Sequence, residues 1–453
     1  MTGKTEQPAF TEKRETFTSN FGLLMTMIGV AVGLGAVWRF PYMVGKFGGA
    51  AFVLFYLAVV FFIGIPALMA EWILGRHTQR GTLGAYEKGG LPGGKFVGFF
   101  LIFIIFWATG YYSNVVGWVG FHALGELVHA FGGRLETGAI LPPQKGFNLT
   151  SFLLQMAMTA FVIFSCGIVL IKGLRKGIEK ASKWIVPAFF TILVILILRS
   201  VTLQGASEGI SWFIGGFRFS ELRPSVMAAA LGMAFFSMSL GGTFMVIYGS
   251  YLDKRANVSK NALYTGIAAS SAGLLAGFAI FPAVFAFGLE PSSGPGLIFS
   301  TLPKTFSLMP AGRIFGLLFF LALFGAAYLS DVAAFEVLVG GILDNTKLER
   351  RKSVFWVCVI VYVLAVPPMI NFEIFIPWDL TFGSGMQALG SLLAITTAAW
   401  FIKRIEFLKE LNTTKNSFQA FLYWWLRIIV PSAILFVGVN WLLEFVLNVK
   451  IFR

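Results

Sequence analysis

The sequence predicts an all-α membrane protein. It reads as two five-helix halves in a 5+5 inverted repeat, with helices 1 and 6 broken and an eleventh helix added. Three observations carry this. First, 57% of the 453 residues are hydrophobic and only 12% are charged, about half the charged share of a soluble domain. That leaves too little polar surface for a water-soluble protein of this length. Second, apolar runs long enough to cross a bilayer recur along the chain. Third, glycine clusters inside two of those runs, five spans apart.

The chain is polar up to Asn20, and its first apolar stretch is long enough to span, so no cleavable signal peptide is expected. Eleven candidate spans follow, at 21–45, 50–74, 96–130, 150–171, 184–203, 225–252, 261–288, 313–343, 353–370, 379–401 and 418–448. The runs 96–130 and 418–448 exceed one bilayer thickness. Neither holds a turn signal, so each reads as one long tilted helix. The regions are a cytoplasmic segment 1–20, a first repeat 21–203, a second repeat 225–401 and a C-terminal helix 418–448. Most of the 35 basic residues fall on the side that carries the N-terminus. The positive-inside rule then places the N-terminus in the cytoplasm and the C-terminus outside, in a plasma (inner) membrane. The net charge of +14 is therefore an orientation signal and not a nucleic-acid signal. Lipid is the surrounding partner, and no obligate protein partner is evident.

Catalysis is disfavoured. Cys166 and Cys358 lie in apolar runs, and His77, His122 and His129 form no ligand cluster. Loops of about 20 residues are too short for a catalytic module, and no nucleophile–base pair gathers at one depth. The chain is not expected to be an enzyme.

The glycine clusters are more informative. The first span reads Gly29-Val30-Ala31-Val32-Gly33-Leu34-Gly35, and the sixth reads Phe236-Ser237-Met238-Ser239-Leu240-Gly241-Gly242. Small residues also let helices pack closely. Matching positions in two halves favour unwinding, as in secondary transporters built from inverted repeats. Backbone unwinds inside a membrane only where it lines a protein cavity. The half-helix N-termini then offer N–H groups to a carboxylate, and the C-termini offer carbonyls to a cation. A zwitterionic amino acid with Na⁺ fits such a site without a charged side chain.

The stretch Gly33 to Tyr42, followed by Gly48-Gly49-Ala50-Ala51-Phe52, resembles the first-helix signature of the neurotransmitter:sodium symporter family. Gly64-Ile65-Pro66 with Glu71-Trp72 and Gly75-Arg76 resembles its second helix. Lys172 to Lys180 resembles its loop between helices 4 and 5, and Phe235 to Gly241 its broken sixth helix. Eleven spans resemble a bacterial, leucine-transporter-like member. The resemblance implies that Ala31, Gly33, Leu34 and Gly35 hold a substrate carboxylate with Tyr112. It implies that Phe236 is a lid, and that Ser237, Ser239, Gly241, Gly242 and Ser330 belong to the pocket. Arg39 and Asp379 would form an outer gate, and Arg14 and Asp344, with Tyr251, an inner one. Buried Glu71 reads as a structural hydrogen-bond hub.

The ion sites depart from the family pattern. At the first, Ala36 stands where an Asn is usual, and Ala268-Ala269-Ser270-Ser271 offers no amide or carboxylate. The second would use Gly29, Val32, Ala326 and Ser330, but Leu329 replaces a usual oxygen donor. Asp331 is the candidate replacement if a local bulge presents it beside Ser330. Met233 stands where a Gln is common, so no chloride site is recognised. The expected function is import of a neutral, hydrophobic or aromatic amino acid by alternating access, coupled to Na⁺ through a reduced ligand set. The alternatives are a Na⁺-independent or proton-coupled carrier or exchanger, and a non-transporting sensor.

Overall fold

The computed structural model describes residues 14–411 and 416–443, except 216, 218–220, 222, 292–295 and 442. The expected regions 1–20 and 418–448 are therefore described only from residue 14 and up to residue 443. All regular structure among the described residues is helical. Local chemistry sets several helix starts. Ser19 Oγ accepts from Gly22 N at 3.0 Å, Asn148 Oδ1 from Ser151 N at 3.0 Å, and Asn257 Oδ1 from Lys260 N at 2.9 Å. Each cap satisfies an N–H that the first helical turn leaves unpaired.

Seven described helices are long and apolar enough to cross a membrane, and an eighth crossing is the bent first pair, Asn20–Ala31 and Gly35–Phe47, at 52°. The other three expected spans are shorter or interrupted. The sixth is two pieces, Pro224–Ser237 and Phe244–Gly249. The ninth is Arg350–Ala365, of 16 residues, and the tenth carries π-turns at Asp379–Gly385 and Thr397–Phe401.

The third span is one helix of 37 residues, Gly94–Ala130. At 1.5 Å per residue it is roughly 55 Å long, well beyond a bilayer core. It runs along the eighth span, Gly312–Asn345, and this pair backs the centre of the molecule. Buried Trp72, Trp118, Phe40 and Phe320 fill the interior. The outer flanks carry exposed Phe61, Phe62, Phe103, Phe164 and Phe355. In water such flanks would be a liability, but facing lipid they are the expected surface.

Candidate functional site

The pocket follows from one missing hydrogen bond. In a continuous first span, the Leu34 N–H would donate to the Val30 carbonyl. Instead Val32 turns to an extended conformation and the helix stops. Each freed group finds a hydroxyl on another span. Ser239 Oγ donates to the Val30 carbonyl at 2.8 Å, and Ser330 Oγ donates to it at 3.2 Å. Leu34 N donates to Tyr112 Oη at 3.3 Å. Unwinding in hydrocarbon is thereby compensated group by group.

The sixth span breaks through residues with positive φ: Ser239 at +51°, Gly241 at +82° and Thr243 at +60°. Only glycine adopts this region without steric cost. Ser239 is held by its bond to the Val30 carbonyl, and two further anchors hold Gly241 and Thr243. Gly241 N donates to Glu71 Oε1 at 2.9 Å, and Thr82 Oγ1 donates to Thr243 Oγ1 at 2.9 Å. Through this bond Glu71 ties the second span to the break in the sixth.

Between the two breaks lies a cavity of about 50 Å³. The structure brings Ala31, Gly33, Leu34, Gly35, Tyr112, Phe236, Ser239 and Ser330 together around it, as the sequence suggested. Ala108, Thr109, Tyr111, Phe244 and Ala334 also line it. Thr109 and Tyr111 had a signal, being polar neighbours of Tyr112. Ala108, Phe244 and Ala334 had none beyond their apolar surroundings. No lining residue is charged. Gly33 is required by close approach: a Cβ there would lie 2.5 Å from Ser330 Oγ and 2.9 Å from Tyr112 Oη.

Three expected pocket residues, Ser237, Gly241 and Gly242, do not line the cavity. Ser237 is buried, shares a 2.9 Å hydrogen bond with Tyr56 Oη and donates to the Ala234 carbonyl at 3.1 Å. Gly241 acts through its backbone, on Glu71.

The two expected gates differ in construction. Arg14 Nη1 lies 2.9 Å from both Asp344 oxygens and donates to the Gln79 carbonyl at 3.1 Å. Gly81 N caps Asp344 Oδ2 at 2.5 Å. The Arg14 guanidinium also sits 5.0 Å from the Tyr251 ring centroid. Tyr251 Oη donates to Glu336 Oε1 at 2.6 Å, and Arg350 Nη2 pairs with Glu336 Oε2 at 2.5 Å. Glu336 and Arg350 were missed by the sequence reading. On the other side, Arg39 stacks on the Phe236 ring at 4.4 Å, and Asp379 is hydrogen-bonded to Tyr111. Tyr111 lies near both expected gate residues, Arg39 and Asp379.

The residues at the ion positions fit a sodium ion poorly. At the first, Ala36 and Ala268 bring no side-chain oxygen, and the Ser237 hydroxyl is already engaged. At the second, Ser330 Oγ turns to Val30 rather than to Gly29, Val32 or Ala326. A Cβ on Gly29 would lie 2.8 Å from Leu329 Cδ1, so a leucine methyl packs beside Gly29. The bulge that would have joined Asp331 to Ser330 is absent, because Gly312–Asn345 is one regular α-helix. Asp331 is fully buried on another face, where Ser113 Oγ donates to it at 2.9 Å. Cys166 Sγ approaches it at 4.0 Å.

An uncharged pocket between two interrupted spans is the arrangement of a membrane carrier of small solutes. The chain belongs to the sodium:neurotransmitter symporter family, whose profile matches residues 14–132 and 145–450. It is 33% identical over 451 residues to an uncharacterised sodium-dependent transporter of Bacillus subtilis (strain 168), covering 95% of this chain and 98% of that one. It is 25% identical over 468 residues to a sodium-dependent dopamine transporter of Caenorhabditis elegans, covering 88% and 74%. The crystal structure of MhsT in complex with L-phenylalanine superposes with a TM-score of 0.84 at 31% identity, covering 94% of this chain and 99% of that one. These relatives are transporters, not enzymes. The chain is accordingly a multi-pass membrane transporter of this family.

Proposed function

We propose that the protein imports a neutral, hydrophobic or aromatic amino acid by alternating access, with fewer Na⁺ ligands than its family pattern. The observation that carries the reading is the Leu34 N–H beside Tyr112 Oη, at a cavity with no charged wall. A substrate carboxylate there accepts from the backbone at the start of the second half-helix and from the Tyr112 hydroxyl. The ammonium meets the carbonyl end of the first half-helix. The side chain lies against Ala108, Phe236, Phe244 and Ala334, which suits an apolar group. That the solved relative was crystallised with L-phenylalanine supports this substrate class.

The N-terminus lies in the cytoplasm and the C-terminus outside the plasma (inner) membrane. Arg14–Asp344 is then the inner gate, and Arg39, Asp379 and Phe236 close the outer side. With hydrocarbon at Leu329 and Ser237 engaged, at most one Na⁺ contributes to coupling.

A thermal-shift screen of the twenty amino acids, with Na⁺ or choline, tests the substrate, because a ligand that binds the native state raises its apparent stability. Large apolar and aromatic amino acids should raise the melting temperature in both salts, and charged ones in neither. Proteoliposome uptake with Na⁺ replaced by choline, at two pH values, tests the coupling. Complete loss of uptake in choline at both pH values would overturn the reduced-ligand reading while leaving the substrate class standing.

A further inference from the structure

The geometry points to a binding site for an anionic lipid headgroup in the basic groove between the fourth and fifth spans, beside the segment that carries Arg14. The segment Lys172–Trp184 holds Lys172, Arg175, Lys176, Lys180 and Lys183 against a single acid, Glu179. All five cations and Trp184 line one open groove, and no carboxylate does. Glu179 is fully buried beneath the lining, paired with Lys183 at 2.6 Å and accepting from Thr18 N at 2.9 Å. Lys172, Lys176 and Lys180 make no ion pair among the described residues.

The groove lies at the end of two spans, where headgroups sit. Below it the fourth span presents Phe164, Ile168 and Ile171 outward, 70%, 44% and 42% exposed. Trp184 is 74% exposed, and an indole at this depth is an interfacial anchor. Cations directly above an acyl-facing flank match a lipid phosphate and its chains together. A free anion has no use for the hydrocarbon part. Lysines at a membrane surface attract anionic lipids and are screened by salt.

Occupancy would reach the Arg14 pair through the same residues. Arg175 Nε donates to the Thr16 carbonyl at 2.6 Å and its Nη2 to Thr16 Oγ1 at 3.1 Å. Lys183 Nζ donates to Thr18 Oγ1 at 3.1 Å, and Leu174 N donates to Glu15 Oε2 at 2.8 Å. A headgroup phosphate competes with Thr16 and Thr18 for Arg175 and Lys183. It therefore loosens the strand that holds Arg14 on Asp344.

The test uses the full chain in vesicles of phosphatidylcholine alone, or with one-third phosphatidylglycerol, and spin-labelled forms of each lipid. Immobilised phosphatidylglycerol should exceed immobilised phosphatidylcholine about fivefold around the unmodified protein at low salt. The preference should fall toward unity in K172Q/K176Q/K180Q and persist in K172R/K176R/K180R. Saturating inorganic phosphate should leave it intact. An undiminished preference in the glutamine variant, or abolition of the unmodified protein's preference by inorganic phosphate, overturns the site. The binding readout needs no transport, so it is independent of the proposed substrate. Uptake tests the link to the gate: phosphatidylglycerol should raise it in the unmodified protein and the arginine variant, but not in the glutamine variant. An unmodified protein indifferent to phosphatidylglycerol in uptake overturns that link.

Discussion

The break in the first span serves two neighbourhoods, and they have fared differently. On the pocket side, the freed Val30 carbonyl and Leu34 N–H are each met by a hydroxyl, from Ser239, Ser330 and Tyr112. On the side of the second cation position, the carbonyl-bearing turn at Gly29 meets a methyl of Leu329. One neighbourhood is built mainly from backbone, held open by glycine and small residues. The other calls for side-chain oxygens, and Leu329 supplies none. A site made of backbone persists as long as the break does. A site that depends on two or three side chains can be dismantled one substitution at a time while the fold stays the same.

Gly33→Ala attacks the pocket side and should have the largest effect. The new Cβ would lie 2.5 Å from Ser330 Oγ, a hydroxyl already committed to Val30. Overpacking of this kind costs about 1–3 kcal/mol, which predicts roughly a 5- to 140-fold loss of amino acid affinity. Thermal-shift titration reads it directly. Adding Ser330→Ala removes the tightest contact and should restore part of the binding. A G33A protein that binds normally would show that this side tolerates bulk, and the contrast between the two neighbourhoods would fail.

Leu329→Ser attacks the other side and ranks second in its effect on transport, though not in its effect on stability. It places a hydroxyl next to Ser330, facing Gly29, where hydrocarbon now packs. Losing a buried leucine costs about 2–4 kcal/mol of stability, visible as a lower melting temperature. In exchange, uptake should gain a Na⁺ stimulation of several-fold over the parent. An unchanged Na⁺ response would mean that the missing oxygen is not what limits coupling.

How far the sequence foretold this follows the same division. The interruptions were legible, because unwinding needs glycine at places such as Gly33 and Gly241, and glycine clusters stand out in an apolar run. The pocket was legible through its motif, except where a residue faces inward only after the break, as Phe244 does. Ser239 and Thr243 adopt positive φ without being glycine, and nothing in their identity signals it. The shortness of the ninth span and the π-turns of the tenth escaped as well, since hydropathy registers composition and not helix pitch. Asp331 was the instructive miss. A bulge was needed to turn it toward Ser330, but the eighth span stays regular and sends it to Ser113 on the third.

The smallest predicted effect concerns the Arg14–Asp344 pair, where backbone and side-chain contacts are combined. Asp344 accepts from Gly81 N, and Arg14 donates to the Gln79 carbonyl, so backbone contacts secure both ends. The Tyr251–Glu336–Arg350 chain adds side-chain support beneath Arg14. Tyr251→Phe keeps the ring under Arg14 and deletes only the hydroxyl donated to Glu336. Glu336 retains Arg350, so no buried charge is left unpaired, and the cost is limited to about 0.5–1 kcal/mol. That corresponds to roughly a two- to fivefold rise in the population open on this side. Spin-label distances across the ends of the first and eighth spans, or the reactivity of a cysteine placed below the pair, measure it. Arg350→Met should do more than Tyr251→Phe, because it strands the Glu336 carboxylate. If the two variants open the protein equally, Tyr251 rather than the buried ion pair sets the strength of the support, and the backbone contacts at Gly81 and Gln79 carry less of the closure than their geometry implies.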